Sequence, residues 1–241
     1  MATIRGTAGR DTLVGTSLAD TIFGDGDNDT IDGGAGIDKM FGDTGNDTFL
    51  GGEGADTMDG GADVDTVSYA QSSSGVKVNL ATGVGYSGQA EGDTLISIEN
   101  VTGSQHRDYL FGSEGRNMIN GGSGNDIISA GGENDVVIGG GGNDTLSGGS
   151  GSDIFGFSTS QFANLNGADV ISDFEVGVDV LQFGNRGYGG SGAVESLEDL
   201  SFSQVGNNTV ISYGYHGESI TLTGVSVAEL HLHASTDFLF S

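Results

Sequence analysis

The sequence predicts an all-β fold, a parallel β-roll (a β-solenoid) closed by a small antiparallel β cap at its C-terminal end. Three observations predict it. A nine-residue pattern, G-x-x-x-x-D-x-U-x with U apolar, runs without a slip from Gly6 to Ser68 and again from Gly103 to Gly156. The composition holds 47 Gly and no Pro, Cys or Trp in 241 residues, which suits tight turns that visit positive φ. After the second run the pattern changes to segments of alternating polar and apolar residues separated by turn residues, the signature of antiparallel strands.

Residues 1–68 form the first repeat block. Its sixth positions are Asp11, Asp20, Asp29, Asp38, Asp47, Asp56 and Asp65, and its eighth positions are Leu13, Ile22, Ile31, Met40, Phe49, Met58 and Val67. Residues seven to nine of each repeat make a short strand whose middle side chain points inward, because strand side chains alternate. Residues one to six make the turn. One rung cannot bury its apolar residue alone, so rungs must stack. Two repeats complete a coil of 18 residues, and each turn lies beside the turn two repeats on.

Residues 69–102 break the register but continue as irregular rungs. Val76–Leu80 alternates like a strand, and Gly88–Ile96 is a degraded repeat with Asp93 and Leu95 in the expected places. Residues 103–156 form the second block. Its sixth positions are Asp108, Asn117, Asp126, Asp135, Asp144 and Asp153, and its eighth positions are Leu110, Ile119, Ile128, Val137, Leu146 and Phe155. Asn117 lacks the charge, Leu18 and Asp27 stand where the fourth-position glycine is usual, and Ala130-Gly-Gly-Glu displaces its glycines. The seventh positions of the first block are mostly Thr, a solvated face. Those of the second block are Tyr109, Met118, Ile127, Val136, Thr145 and Ile154, an apolar outward face expected to be covered by the cap or a partner.

Residues 157–241 form the capping region. Asp169 and Asp179 each precede an apolar residue by two positions, and with Asp173 they are candidates for a terminal cation site. Leu200–Val205, Thr209–Tyr213 and Ser219–Thr223 are the predicted cap strands, with Gly-Asn-Asn and Gly-Tyr-His-Gly turns between them.

The charge sets the chemistry. Thirty-four acidic residues stand against seven basic ones, for a formal charge of −27. Such repulsion opposes compaction unless something cationic neutralises it. Nucleic acid and anionic lipid need basic patches, and the seven basic residues are dispersed. No apolar run reaches the length of a transmembrane segment, and the N-terminus lacks the apolar core of a Sec signal. Carboxylates and backbone carbonyls converging between stacked turns form an oxygen-rich cage of flexible geometry, which suits Ca²⁺ better than Mg²⁺. Same-side neighbours give five pairs in the first block and four in the second. About nine Ca²⁺ would bring the charge from −27 to about −9.

The runs Gly-Gly-Ser-Gly-Asn-Asp-Ile-Ile-Ser (121–129) and Gly-Gly-Gly-Gly-Asn-Asp-Thr-Leu-Ser (139–147) resemble the calcium-binding RTX (repeats-in-toxin) motif. The resemblance implies a parallel β-roll, calcium binding outside the cell, and a type I secretion exporter that reads the C-terminus. Asp237-Phe-Leu-Phe-Ser241 resembles its uncleaved signal, although a terminal strand would look the same. Ile98-Glu-Asn-Val-Thr-Gly-Ser104 and Asp169–Asp179 resemble segments that open and close RTX rolls.

No catalytic site is assembled. H-E-x-x-H and G-x-S-x-G are absent, and the carboxylates recur as a lattice rather than as one differentiated acid and base. His231 and His233 are read as solvated residues of one strand face. Asp25-x-Asp27-x-Asp29 hints at an EF-hand loop, but Gly36 stands where its terminal Glu would be. The expected function is a secreted calcium-binding structural or adhesion-type module, with extracellular polysaccharide or a cell surface as the outside partner. The alternative is the non-catalytic tail of a larger secreted enzyme such as an alginate epimerase or protease. A minor alternative, ice binding, rests on the threonine row of the first block.

Overall fold

The structure, a computed structural model, describes residues 1–158, 166–184, 194–214 and 217–240. It divides into two compact units, Met1–Ser113 and Glu114–Ser241. Each is built from two sheets of short strands.

In the first unit one sheet runs, in spatial order, through Thr3–Arg5, Thr21–Phe23, Lys39–Thr44, Thr57–Ala62, Thr94–Ile96, Val84–Tyr86, Lys77–Asn79 and Tyr109–Ser113. The other runs through Thr12–Val14, Thr30–Asp32, Thr48–Leu50, Thr66–Ser68 and Asn100–Thr102. Thr12 pairs with Thr30, Thr30 with Thr48 and Thr48 with Thr66, all in parallel. The offset of two repeats is the coil expected from the sequence. Strands of three residues suffice because only the middle one must be buried. Ile22, Ile31, Met40, Phe49 and Met58 are fully buried, while the seventh-position residues beside them are half-buried threonines and, before Met40, the exposed Lys39. Leu13 is half-buried rather than buried, because the first rung of its sheet has a neighbour on one side only.

Residues 69–102 keep the rung pattern with one local reversal. Thr94–Ile96 pairs in parallel with Thr57–Ala62, and Asn100–Thr102 with Thr66–Ser68. Between them Val84–Tyr86 lies antiparallel to both Thr94–Ile96 and Lys77–Asn79. Tyr109–Ser113 then resumes parallel pairing on Lys77–Asn79.

In the second unit one sheet runs through Ile127–Gly132, Thr145–Ser150, Ala168–Ile171, Glu218–Leu222, Asn208–Tyr213 and Ser201–Val205. The other runs through Met118–Asn120, Val136–Ile138, Ile154–Ser158, Val180–Gly184 and Phe238–Phe240. The cap is the antiparallel meander 201–222, and its last strand pairs in parallel with Ala168–Ile171. It therefore lengthens a sheet instead of lying across it. The expected cover over the apolar seventh positions is not supplied by the cap strands: Met118 is 49% exposed, and Ile127, Val136 and Ile154 are half-buried. Phe183 anchors this end, with ring centroids of Tyr213, Phe157 and Phe240 at 5.2, 5.8 and 5.8 Å.

Two further differences have local causes. His231 lies on a helix, Val227–Leu232, not on a strand, and His233 is its C-cap. Ser226 accepts a hydrogen bond from the Glu229 amide at 3.2 Å and so caps the helix N-terminus. Residues two apart on a helix face different ways; His231 meets the Phe202 ring edge-on at 5.0 Å, and the pair does not form a shared metal site. The expected Gly-Tyr-His-Gly turn includes Tyr215 and His216, which lie outside the described residues. Among the described residues no helix is long and apolar enough to cross a membrane.

Each inner eighth-position residue lies between those of two neighbouring rungs of its own sheet, as Phe49 does between Ile31 and Val67, whereas Leu13 has Ile31 on one side only. Phe49→Ala should cost about 3–5 kcal/mol of stability in the calcium-loaded protein, and Leu13→Ala clearly less. Urea unfolding of both variants, followed by far-UV circular dichroism, measures the difference.

Candidate metal centres

Each repeat delivers its sixth residue to the start of a strand, where the side chain turns back along the stack. There one carboxylate oxygen accepts the backbone N–H of the sixth residue two repeats earlier. In the first unit the Asp11, Asp20, Asp29, Asp38 and Asp47 amides donate to Oδ1 of Asp29, Asp38, Asp47, Asp56 and Asp65 at 2.7–2.8 Å. In the second unit the Asn117, Asp126 and Asp135 amides donate to Oδ1 of Asp135, Asp144 and Asp153 at 2.7–2.9 Å. The ladder continues past the repeats: Asp144 donates to Asp169 at 2.9 Å and Asp153 to Asp179 at 3.0 Å. These carboxylates are nearly all buried.

The other oxygen divides the turns into two kinds. In Asp29, Asp38, Asp47, Asp56, Asp65, Asp135, Asp144 and Asp153, Oδ2 is buried and accepts no hydrogen bond. Burial pushes these carboxyls up, Asp56 and Asp65 to about 7 and Asp135 and Asp144 to about 6, because a bare charge in a poorly solvated site is costly. In Asp11 and Asp20, by contrast, Oδ2 accepts two hydrogen bonds from a threonine at the second repeat position. Thr7 gives its N–H at 2.6 Å and its hydroxyl at 2.9 Å to Asp11, and Thr16 gives the same groups at 2.8 and 2.7 Å to Asp20. Asp20 is held below the usual carboxylate value, chiefly by the Thr16 hydroxyl and then by the Ala2 amide. Asp108 has a similar arrangement: Ser104 N–H reaches Oδ2 at 2.5 Å and its hydroxyl reaches Oδ1 at 2.8 Å.

Backbone conformation follows the same division. In the turns with a bare oxygen the second and fourth residues take positive φ, as with Gly52 at 88° and Gly54 at 145°. Asp25 and Asp27 do the same at 75° and 68°, so the missing glycines of that repeat do not change the turn; aspartate tolerates the left-handed region. Leu18 does not enter it, and its turn belongs to the hydroxyl kind.

The family model for the RTX calcium-binding nonapeptide repeat, in four copies, matches residues 5–40, 33–67, 102–137 and 120–155. Residues 5–67 and 102–155 are thus RTX calcium-binding nonapeptide repeats. No curated protein matches it. Among solved structures, the extracellular lipase LipA from Serratia marcescens is similar at 18% identity and a TM-score of 0.40, over 98% of this chain and 40% of the lipase. The chain thus spans less than half the length of that protein.

RTX turns are calcium-binding elements, and the turns with a bare oxygen fit a cation. At Gly6, Gly15, Gly24, Gly33 and Gly42 alike the space that a Cβ would enter is lined by Oδ2 of the same repeat's aspartate and by the carbonyl of the glycine 18 residues on, so what sets the bare-oxygen turns apart is the oxygen that accepts no hydrogen bond. At the corresponding position Ala130 places a methyl group there. The donors are therefore one carboxylate and backbone carbonyls per turn. Among the described residues no three His, Cys, Asp or Glu side chains converge, so these are not carboxylate clusters. Oxygen-only donors on a flexible backbone are the chemistry of Ca²⁺.

The remaining candidates are placed differently. Asp93 accepts the Asp56 amide at Oδ1, at 2.8 Å, and the buried Tyr69 hydroxyl at Oδ2, at 2.9 Å. Asp169, Asp173 and Asp179 do not form one site. Asp169 and Asp179 continue ladders on strands of different sheets. Asp173 is exposed and binds the Gly149 amide at 3.0 Å and the Ser147 hydroxyl at 2.5 Å. Asp179 Oδ2 accepts the Glu175 amide at 2.8 Å. Asn117 keeps its backbone place in the ladder through Asp135.

Sequence reasoning overlooked three features. Glu99 replaces an aspartate, its Oε2 accepting the Asp65 amide at 2.8 Å; counting back from Gly103 would have put Glu99 at a sixth position. Fifth-position asparagines form an outer ladder in the opposite direction, Asn46 N–H donating to Asn28 and Asn143 N–H to Asn125, both at 2.9 Å. Asp237 is fully buried, its Oδ1 accepting the Gly177 amide at 3.0 Å while Oδ2 accepts no hydrogen bond. It lies outside the nonapeptide frame, so no periodic signal marked it.

The raised carboxyl values set a pH dependence. A metal-free folded chain binds more protons than the unfolded one between the ordinary value of 3.8 and the folded values of about 6–7. Its stability is therefore present at acid pH and lost as pH rises through that window. In chelator, far-UV circular dichroism should show more β structure near the acid end than at pH ~8, and the calcium needed at saturation should increase as pH falls.

Proposed function

We propose that this chain is a secreted calcium-binding RTX protein, exported unfolded through a type I exporter, that folds on meeting calcium outside the cell and serves there as a structural or adhesion-type module. The observation that carries the reading is the row of buried carboxylate oxygens without hydrogen-bond donors, repeated every 18 residues along the stack. In a chain of formal charge −27 such groups oppose folding until a cation arrives, because an uncompensated buried charge is strongly destabilising. A metal site that is absent from the unfolded chain converts binding free energy into folding free energy. Calcium is scarce in the cytosol and plentiful outside, so the same chemistry keeps the chain unfolded for export and orders it afterwards.

The chain does no chemistry of its own in this reading. Its ladder carboxylates are each tied to a backbone amide of the neighbouring coil, a structural use that leaves none of them assigned as acid or base. The mostly half-buried threonine rows and the acidic surface offer polar contact to extracellular polysaccharide or to a cell surface.

Circular dichroism in chelator and then in millimolar calcium at pH ~8 tests the proposal. A disordered spectrum should convert cooperatively to a β spectrum with Ca²⁺ and not with equal Mg²⁺; β structure that persists in chelator at that pH rejects it. Asp47→Ala should raise the calcium midpoint several-fold and Glu53→Ala should leave it in place, since Asp47 alone of the two carries a bare ladder oxygen. Indistinguishable midpoints would show the register of ligands to be misplaced.

A further inference from the structure

Hydroxyl residues occupy the second repeat position at four places only, Thr7, Thr16, Ser104 and Ser113. These are the first two repeats of each run. Every other second position is Gly or Asp: Asp25, Gly34, Asp43, Gly52 and Gly61 in the first run, and four glycines in the second. Two consecutive repeats make one coil, with one turn on each edge. Each run therefore opens on a full coil of a different type.

The described geometry of that type is hostile to a cation. Asp11 Oδ2 and Asp20 Oδ2 each already accept a threonine N–H and a threonine hydroxyl at 2.6–2.9 Å. Both oxygens of Asp108 are engaged by Ser104, at 2.5 and 2.8 Å. Hydrogen bonds to a carboxylate are the strong, charge-assisted kind, and a metal would have to displace two at once. The hydroxyls are themselves fixed, since Thr7, Thr16 and Ser104 accept the Gly9, Leu18 and His106 amides at 3.3, 3.2 and 3.0 Å. The backbone opposes the exchange as well. The turns with a bare oxygen hold the second residue at φ between 71° and 99° in the first unit (Asp43 and Gly61 at the extremes). Thr7 and Thr16 are not in that region, which a β-branched residue enters only at a steric cost.

We propose that Thr7, Thr16 and Ser104 exclude the cation from their turns and stand in for it, so that the coil opening the first run, and the matching turn opening the second, close without metal. This rests on the calcium reading above and refines which repeats take the ion. In these turns the hydroxyl and amide donate the positive charge density that Ca²⁺ supplies elsewhere. The aspartate remains a ladder member whose second oxygen is satisfied by its own turn. The residue at the second position is thus a specificity determinant: glycine or aspartate admits the ion, threonine or serine replaces it.

The test counts calcium ions on the full-length chain by native mass spectrometry at saturating calcium, with the folding midpoint followed by circular dichroism. Asp11→Asn should keep the parent's ion count and a midpoint within about twofold of it, because an amide oxygen still accepts both threonine donors. Asp20→Asn also loses the acceptor of the Ala2 amide, so for it the ion count alone should stay at the parent's value. Asp38→Asn and Asp47→Asn should lose at least one ion and need roughly tenfold more calcium, about 1.4 kcal/mol of binding free energy. If either fails to fold at any calcium level while Asp11→Asn folds with a full count, the contrast holds. The double variant Thr7→Gly with Thr16→Gly should bind at least one ion more than the parent. An unchanged count in that variant, or loss of ions from Asp11→Asn or Asp20→Asn, overturns the inference while leaving calcium binding intact. A parent chain that carries no calcium overturns the function proposed above instead.

Discussion

Everything in this fold hangs on where a sixth-position carboxylate places its two oxygens. One is committed to the backbone amide of the preceding coil, at 2.7–2.9 Å through the repeats. That bond fixes the spacing between coils and the register of the short strands that follow. It also buries the carboxylate and leaves its second oxygen pointing into a turn with no donor of its own. The stack is thus built from groups that stabilise it only when something else neutralises them. A strand of three residues contributes little by itself, so the ladder and the neutralising partner together decide whether the rungs stack at all.

Several ways of supplying that partner occur in one chain. In the middle of each run the turn opens into the left-handed region, presents carbonyls and waits for a cation. At the start of each run a hydroxyl and an amide from the same turn replace it. In the irregular stretch Tyr69 reaches across the core to Asp93, and burial raises the tyrosine well above its ordinary value, reinforced by the adjacent Asp93 carboxylate. Beyond the second run the Glu175 amide serves Asp179. The hydrogen-bonded solutions sit where the periodic pattern begins or breaks. The ion-dependent ones sit where neighbours on both sides already hold the geometry, as expected if an oxygen cage needs two well-formed turns.

The C-terminal unit meets a different demand, the exposed edge that any stack of strands leaves. One sheet is continued by the meander 201–222 and the other by Phe238–Phe240. Both rely on ordinary side-chain packing, centred on Phe183 and Tyr213, rather than on charge neutralisation. The last strand comes from the segment whose sequence resembles an export signal. In the folded chain that segment is paired with Val180–Gly184.

The repeat frame by itself determined the strands, their inward residues and the offset of two repeats per coil, because a period of nine with one apolar position has one way to bury that position. It also determined which carboxylates join the ladder, Glu99 excepted, which stands at a sixth position counted back from Gly103 but carries glutamate where the pattern has aspartate. What the tertiary structure alone decided is how each carboxylate is satisfied. Asp11 and Asp29 occupy the same place in the pattern, yet one is closed by Thr7 and the other is left bare, a distinction that depends on backbone dihedrals and on which donor lies within 3 Å. Asp169, Asp173 and Asp179 look like one group in sequence and are separated because turns alternate between sheets. His231 and His233 read as a strand pair until Ser226 starts a helix. In each case the residue types are written in the sequence, the second-position hydroxyl among them, and only the structure shows which contact they make.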